Sequence, residues 1–97
     1  MVKFKILQIK DIAKCEYSFR GYTHAKKLGF SLNDYEVVYE DEVGCVDAYD
    51  TLESLFSIFN NDRPSDFKGR SMSVSDVVEL DGKYYYTDTF GFKEISL

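Results

Sequence analysis

Asp62, Asp66 and Asp76 fall close together in the stretch Phe59 to Val78, with Asn60, Arg63 and Arg70 among them. Carboxylates gathered in one cleft can hold Mg²⁺ or Mn²⁺, or share a proton in acid–base work. A metal-dependent enzyme or a nucleic-acid binder would therefore use Asp62, Arg63, Asp66, Arg70 and Asp76 together. Asn60-x-Asp62 also opens like a calcium loop, but Pro64 breaks the run of alternating oxygens that such a loop needs. These acids occupy positions where turn and cap residues usually sit, and scaffolding is the expected role.

Other chemistry is thinly supplied. Nucleophilic catalysis wants a Ser or Cys beside a positioned base, and His24 is the single histidine. It has no Cys or His at ligand spacing and reads as a surface residue of a short helix. Glu40-Asp41-Glu42 and Asp47 flank Gly44 and Cys45 but lack the order of a Ca²⁺ loop, so a solvated acidic loop is expected. No glycine-rich phosphate loop precedes a helix. The expectation is a chain without catalytic residues, metal or cofactor: not an enzyme.

Charge is distributed unevenly. Residues 1–27 carry seven basic and two acidic side chains, residues 28–62 carry nine acidic and no Lys or Arg, and residues 63–97 carry five basic and six acidic, for a total of −5. Either the basic and acidic blocks become neighbours and neutralise each other, or the acidic block faces a basic partner. Direct DNA binding is disfavoured, because phosphate contacts need clustered Lys and Arg.

The elements that must position these residues are legible in part. Ninety-seven residues make one domain, and eight Tyr and eight Phe give it a core despite its small size. No apolar run is long enough for a membrane span or a signal segment, so Cys15 and Cys45 are expected as free thiols in a cytoplasmic protein. Val2 to Ile9 alternates as a strand, with Leu7 and Ile9 adding apolar groups to its second face. Ser18 suits the N-cap of a helix over 20–28, with Tyr22, Ala25 and Leu28 inward and Gly29 as its left-handed stop.

A turn at residues 31–34 leads to a second strand over 35–40, where Lys3 and Lys5 would meet Glu36 and Glu40. Asp50-Thr51-Leu52-Glu53 has capping-box spacing, and Leu52, Leu55, Phe56 and Phe59 follow as one face of a helix over 51–60. Phe67 should anchor the loop after Pro64. Asp81-Gly82 marks a two-residue hairpin before Lys83 to Asp88. The chain then turns at Gly91, with Phe90 or Phe92 closing the core. The predicted fold is α+β, in the order β-α-β-α-β-β, with a mostly antiparallel sheet and both helices packed on one face.

The order and spacing of several groups resemble the YodL-like family, a small domain of Firmicutes, their phages and conjugative elements. The matching residues are Asp34 to Tyr39, then Phe59-Asn60 with Asp62 and Pro64, Asp66-Phe67 with Gly69, Ser71 to Val78, Tyr85-Tyr86 with Asp88, and Phe90-Gly91-Phe92. Members of that family often carry His where this chain has Arg63 and Arg70, which weighs further against histidine chemistry. The resemblance implies a mobile-element or phage accessory protein that works by binding, with no established enzymatic activity.

Function is therefore expected to be stoichiometric inhibition or regulation of a host protein by a monomer or weak homodimer. In an anti-defence role, Glu36, Glu40, Asp41, Glu42, Asp47, Asp50 and Glu53 would mimic phosphates in the basic channel of a nucleic-acid-binding immune effector. A host cytoskeletal or envelope protein is the alternative target, and the enzyme built on Asp62, Asp66 and Asp76 is the other class. The corner formed by Asn60, Asp62, Pro64, Asp66, Phe67, Gly69, Ser71, Ser73 and Asp76 is expected to hold the fold in shape.

Overall fold

Lys3 and Lys5 alternate with Phe4 and Ile6, and the first strand, β1 (Val2–Ile9), forms where that alternation predicts. The computed structural model describes residues 1–96. β1 pairs antiparallel with β2 (Tyr35–Val43), setting Lys5 opposite Glu40 and Lys3 opposite Glu42. Lys5 Nζ lies 3.9 Å from Glu40 Oε2. Glu36, expected against a lysine, faces Gln8 instead. The register steps from Ile6–Tyr39 to Leu7–Val37, so Val38 is the extra residue of a β-bulge. Glu40-Asp41-Glu42 is strand rather than the predicted loop, because pairing with the basic β1 continues to Val43.

The sheet runs β2-β1-β3-β4-β5, every neighbouring pair antiparallel, with β3 (Val77–Leu80), β4 (Lys83–Thr87) and β5 (Phe92–Ile95). Asp81 and Gly82 both adopt positive φ, 51° and 81°, as a two-residue hairpin with the right-handed strand twist requires. β5 was not predicted. Gly91, at φ 72°, lets Asp88 N–H donate to Gly91 O at 2.9 Å, and the chain turns back to pair with β4. Phe92 closes the core beside Phe56, whereas Phe90 is 95% exposed at the tip of that turn.

The α+β class and the antiparallel sheet stand as expected; the placement of the helices does not. Helix α2 (Ala48–Asn61) packs Leu52, Leu55 and Phe59 against Phe4, Ile6, Val78, Leu80 and Tyr85. Helix α1 (Tyr22–Lys27) buries Ala25 in a second cluster with Leu7, Ile9, Val77 and Tyr86. Val77 and Val78 are successive strand residues, as are Tyr85 and Tyr86, so the two clusters lie on opposite faces. The helices therefore sandwich the sheet, and the double-sided apolar pattern of Leu7 and Ile9 is the cause. Cys15 and Cys45, both free, pack on opposite clusters, too far apart in the fold to bridge.

The helix ends differ from expectation for local reasons. Asp47, not Asp50, caps α2: its side chain accepts from Asp50 N–H at 3.0 Å. Asp47-x-x-Asp50 repeats the capping spacing one turn earlier, and Tyr49 rests against Tyr85 there. Ser18 Oγ donates to Ile12 O instead of capping α1. The chain passes through Phe19 at φ 62° and starts α1 at Tyr22, whose N–H donates to Asp88 Oδ1 at 3.2 Å. At the other end Phe30 N–H reaches Ala25 O at 2.9 Å around Gly29, at φ 88°, closing a Schellman turn. That turn leaves Leu28 exposed and sends Phe30 into the core among Tyr17, Tyr22, Tyr35 and Tyr86.

Candidate functional site

Between α2 and β3 the chain must cross from one edge of the core to the sheet centre, and the residues of 62–76 make that crossing in three steps. Asp62 ends α2, its N–H donating to Ile58 O at 2.8 Å, ahead of Pro64, which cannot continue the helix. Phe67 N–H then donates to Pro64 O at 3.0 Å, and the Phe67 ring packs edge-on against Phe59 with centroids 4.8 Å apart. Finally the chain passes Gly69 and Arg70, and Ser73 to Asp76 form a turn with Ser75 at φ 85°. Ser75 Oγ accepts from Phe19 N–H at 3.0 Å, and Ser75 O accepts from the Tyr35 hydroxyl. The left-handed backbone at Ser75 is thus held from two sides.

Asp76 is fully buried at the end of this crossing. Its Oδ2 accepts from Gln8 Nε2 and from Ser73 N–H, both at 3.0 Å. Its Oδ1 lies 3.6 Å from Arg70 Nη2, an ion pair without a hydrogen bond, while Arg70 Nη1 donates to Ile9 O at 3.4 Å. Burial pushes the Asp76 carboxyl up to about 6, against the pull of the Ser73 N–H, the Gln8 amide and the Arg70 charge. Gln8 also bonds the backbone of Arg70, so β1 and the loop are joined through one buried polar node. A buried charge with this many partners serves as a joint; loss of one partner would leave another unpaired.

Asp76 and Ser73 belong to the corner expected from sequence, whereas Gln8 does not. A signal existed: Gln8 stands between Leu7 and Ile9 in a strand that is apolar on both faces, so a polar group there had to find a buried partner. Asp62, Asp66 and Ser71 are exposed, and Asn60 is half-buried. Asp66 stands near Tyr39, whose hydroxyl is shifted up by its partial burial and then by the charges of Asp66 and Asp41. Among the described residues no three His, Cys, Asp or Glu side chains meet at metal-binding spacing, so Asp62, Asp66 and Asp76 do not converge on a cation.

The acidic block divides into three settings. Glu40 and Glu42 lie across from Lys5 and Lys3, and Glu79 flanks Lys5 from β3, so carboxylates and ammonium groups alternate along an open trough in the sheet. Asp47 and Asp50 sit at the N-terminus of α2, where negative charge suits the helix dipole. Glu36, Asp41 and Glu53 are exposed on β2 and α2. Neutralisation and exposure are both present, in different parts of the block.

The class defined by these features is a small α+β domain: a five-stranded antiparallel sheet between two helices, locked by one buried polar node. The chain belongs to the YodL-like domain family, whose family model matches residues 3–97. It is 36% identical over 80 residues to a protein of Acanthamoeba polyphaga mimivirus named only as uncharacterized protein R785, covering 69% of this chain and 74% of that one. No solved structure matches. Among the described residues no helix is long and apolar enough to cross a membrane.

Proposed function

We propose that this domain acts by binding, as a stoichiometric regulator of a host protein with a basic surface. A nucleic-acid-binding effector of host defence is the partner class, with the carboxylates of β2 and α2 standing where phosphates would. The observation that carries this reading is the pairing of an acidic edge strand with an acidic helix. Residues 28–62, net −9, build both β2 and α2 and contain no Lys or Arg. Exposed charge of one sign steers a partner of the other and is screened by salt. A relative in a virus fits a role in an encounter between a genetic parasite and its host.

The test is binding to purified host nucleases at rising salt, with Glu36→Lys and Asp41→Lys as charge reversals. Affinity should fall with salt and fall further with each reversal. Binding indifferent to both would refute the mimicry.

A further inference from the structure

β2 is an outer strand of the sheet, with β1 as its strand partner. Antiparallel strands bond through alternate residues, and the residues between them turn N–H and C=O to the other side. Two bonds at the strand ends fix the phase of that alternation. Asp81 N–H donates to Lys3 O at 3.0 Å, which turns the backbone of Lys3 and Lys5 toward β3 and that of Phe4 and Ile6 toward β2. Lys10 N–H donates to Asp34 O at 2.9 Å, in agreement. Phe4 and Ile6 therefore bond Asp41 and Tyr39, and Glu40 and Glu42 present their backbone groups outward, where no strand follows. Glu42 N–H takes Asp41 Oδ1 at 2.8 Å, a local substitute for a strand partner.

An open edge is a template for another strand, and here its side chains restrict the guest. Glu40 and Glu42 stand on the face away from α2 with Lys5, Lys3 and Glu79, so three carboxylates share two ammonium groups. Among the described residues the one ion pair in that group is long, Lys5 Nζ to Glu40 Oε2 at 3.9 Å. A second copy of β2 would set carboxylates against carboxylates and is disfavoured. A strand with lysine or arginine at every other position is selected, the pattern that β1 already presents to the inner side of β2. The bulge at Val38 bends the edge there, so the guest is short. We infer that the edge of β2 over residues 39–43 takes an extended basic segment of the partner as a sixth strand, an inference that rests on the binding function proposed above. Alternate cations of the segment lie against Glu40 and Glu42. Main-chain bonds to the same two residues supply affinity, and the spacing of the charges chooses the segment.

The experiment is an amide NMR titration of the whole chain with the end-blocked peptide Thr-Lys-Thr-Lys-Thr-Lys. Its controls are the isomer Lys-Lys-Lys-Thr-Thr-Thr, equal in charge, and a form N-methylated at every lysine, which cannot donate main-chain bonds there. Millimolar alternating peptide should shift the Glu40, Asp41 and Glu42 amides and slow hydrogen exchange at Glu40 at least threefold. Either control should act at least tenfold more weakly. Glu40→Pro removes an outward N–H without touching the pairing to β1 and should weaken the response tenfold or more. Glu40→Gln keeps that N–H, loses the charge and should weaken it threefold. Equal response to either control, no response at all, or full response in a Glu40→Pro variant that unfolds cooperatively would overturn the assignment. The N-methylated control decides on the native chain alone. The parent reading fails separately. If host-nuclease binding falls on charge reversal at Glu36 and Asp41 but survives Glu40→Pro, the strand pairing is wrong and the acidic surface stands. If the peptide pairs as expected and no nuclease binds, the edge stands and the defence target falls.

Discussion

Gln8 and Arg70 exchange two hydrogen bonds: Gln8 Nε2 donates to Arg70 O at 2.9 Å, and Arg70 N–H donates to Gln8 Oε1 at 2.9 Å. The side-chain amide behaves as a peptide group in a sheet ladder, fastening the 62–76 segment to β1 where no strand pairing reaches. Because the same Nε2 also donates to Asp76, one side chain satisfies three groups.

Gln8→Leu preserves the volume and removes all three bonds. Arg70 N–H and O lose their partner, and buried Asp76 loses one of the donors on its charge. An unsatisfied buried group costs about 1–3 kcal/mol, so the variant should lose about 2–4 kcal/mol in urea unfolding. Hydrogen exchange at the Arg70 amide should accelerate more than at Phe59, which separates a broken joint from general softening.

Gly69 tests the same joint by crowding. A Cβ there would stand 2.6 Å from Gln8 Oε1 and 2.9 Å from Phe67 Cζ. Gly69→Ala should destabilise by about 1–3 kcal/mol, since both neighbours are packed. Gly82→Ala meets open space and suffers only from its left-handed φ of 81°, a cost of about 1–2 kcal/mol. A second measurement distinguishes them: only Gly69→Ala should alter the amide shifts of Gln8 and Arg70.

Asp76 makes stability depend on pH in an unusual direction. Its carboxyl titrates near 6 in the folded chain against an ordinary 3.8, so the folded state holds the proton more tightly than the unfolded state does. The stability from this residue is therefore full below the ordinary 3.8, is lost as pH rises from about 4 through 6, and levels off only above about pH 7. The rise from 3.8 to about 6 corresponds to about 3 kcal/mol. Asp76→Asn removes the titration, so the difference in unfolding free energy between native chain and variant should slope from about pH 4 through 6 and flatten only above about pH 7. A flat difference throughout would mean that the carboxylate is fully compensated by Arg70, Gln8 and Ser73.

Local spacing made much of this fold legible. The alternation of Val2 to Ile6, the Asp81-Gly82 hairpin and the Leu52–Leu55–Phe59 face all act through near neighbours in sequence, and each forms as expected. What escaped depends on contacts between distant segments. Asp88 caps α1 from another element, so Ser18 was the best local candidate for a bond that local residues do not make. Val38 bulges with both Tyr39 and Val38 turned toward the α2 side; Glu36 misses the lysines because the Lys5–Glu40 register sets residues 35–37 against Leu7 to Ile9. The opposite placement of the helices was foreshadowed by Leu7 and Ile9, but a half-buried strand and a fully buried one share the first four residues of pattern. In the node, Asp76 was visible as one acid among several. Its burial was not, because the partner that permits it lies on β1.

The two helix-end aspartates separate scaffold from surface. If Asp62 held the corner in shape, as its place beside Pro64 suggests from sequence, Asp62→Ala would lower the melting temperature. In the fold Asp62 is exposed at the C-terminus of α2, where a carboxylate faces the negative end of the helix dipole. Its removal should change stability by no more than about 0.5 kcal/mol, or slightly raise it. Asp47→Ala, by contrast, removes the bond to Asp50 N–H and an N-terminal charge, and should cost about 1 kcal/mol. Thermal unfolding of both variants beside Asp76→Asn decides the matter. If Asp62→Ala is the most damaging of the three, the rigidity of the corner comes from the Pro64 turn, and the Gln8–Arg70–Asp76 node is not what holds it.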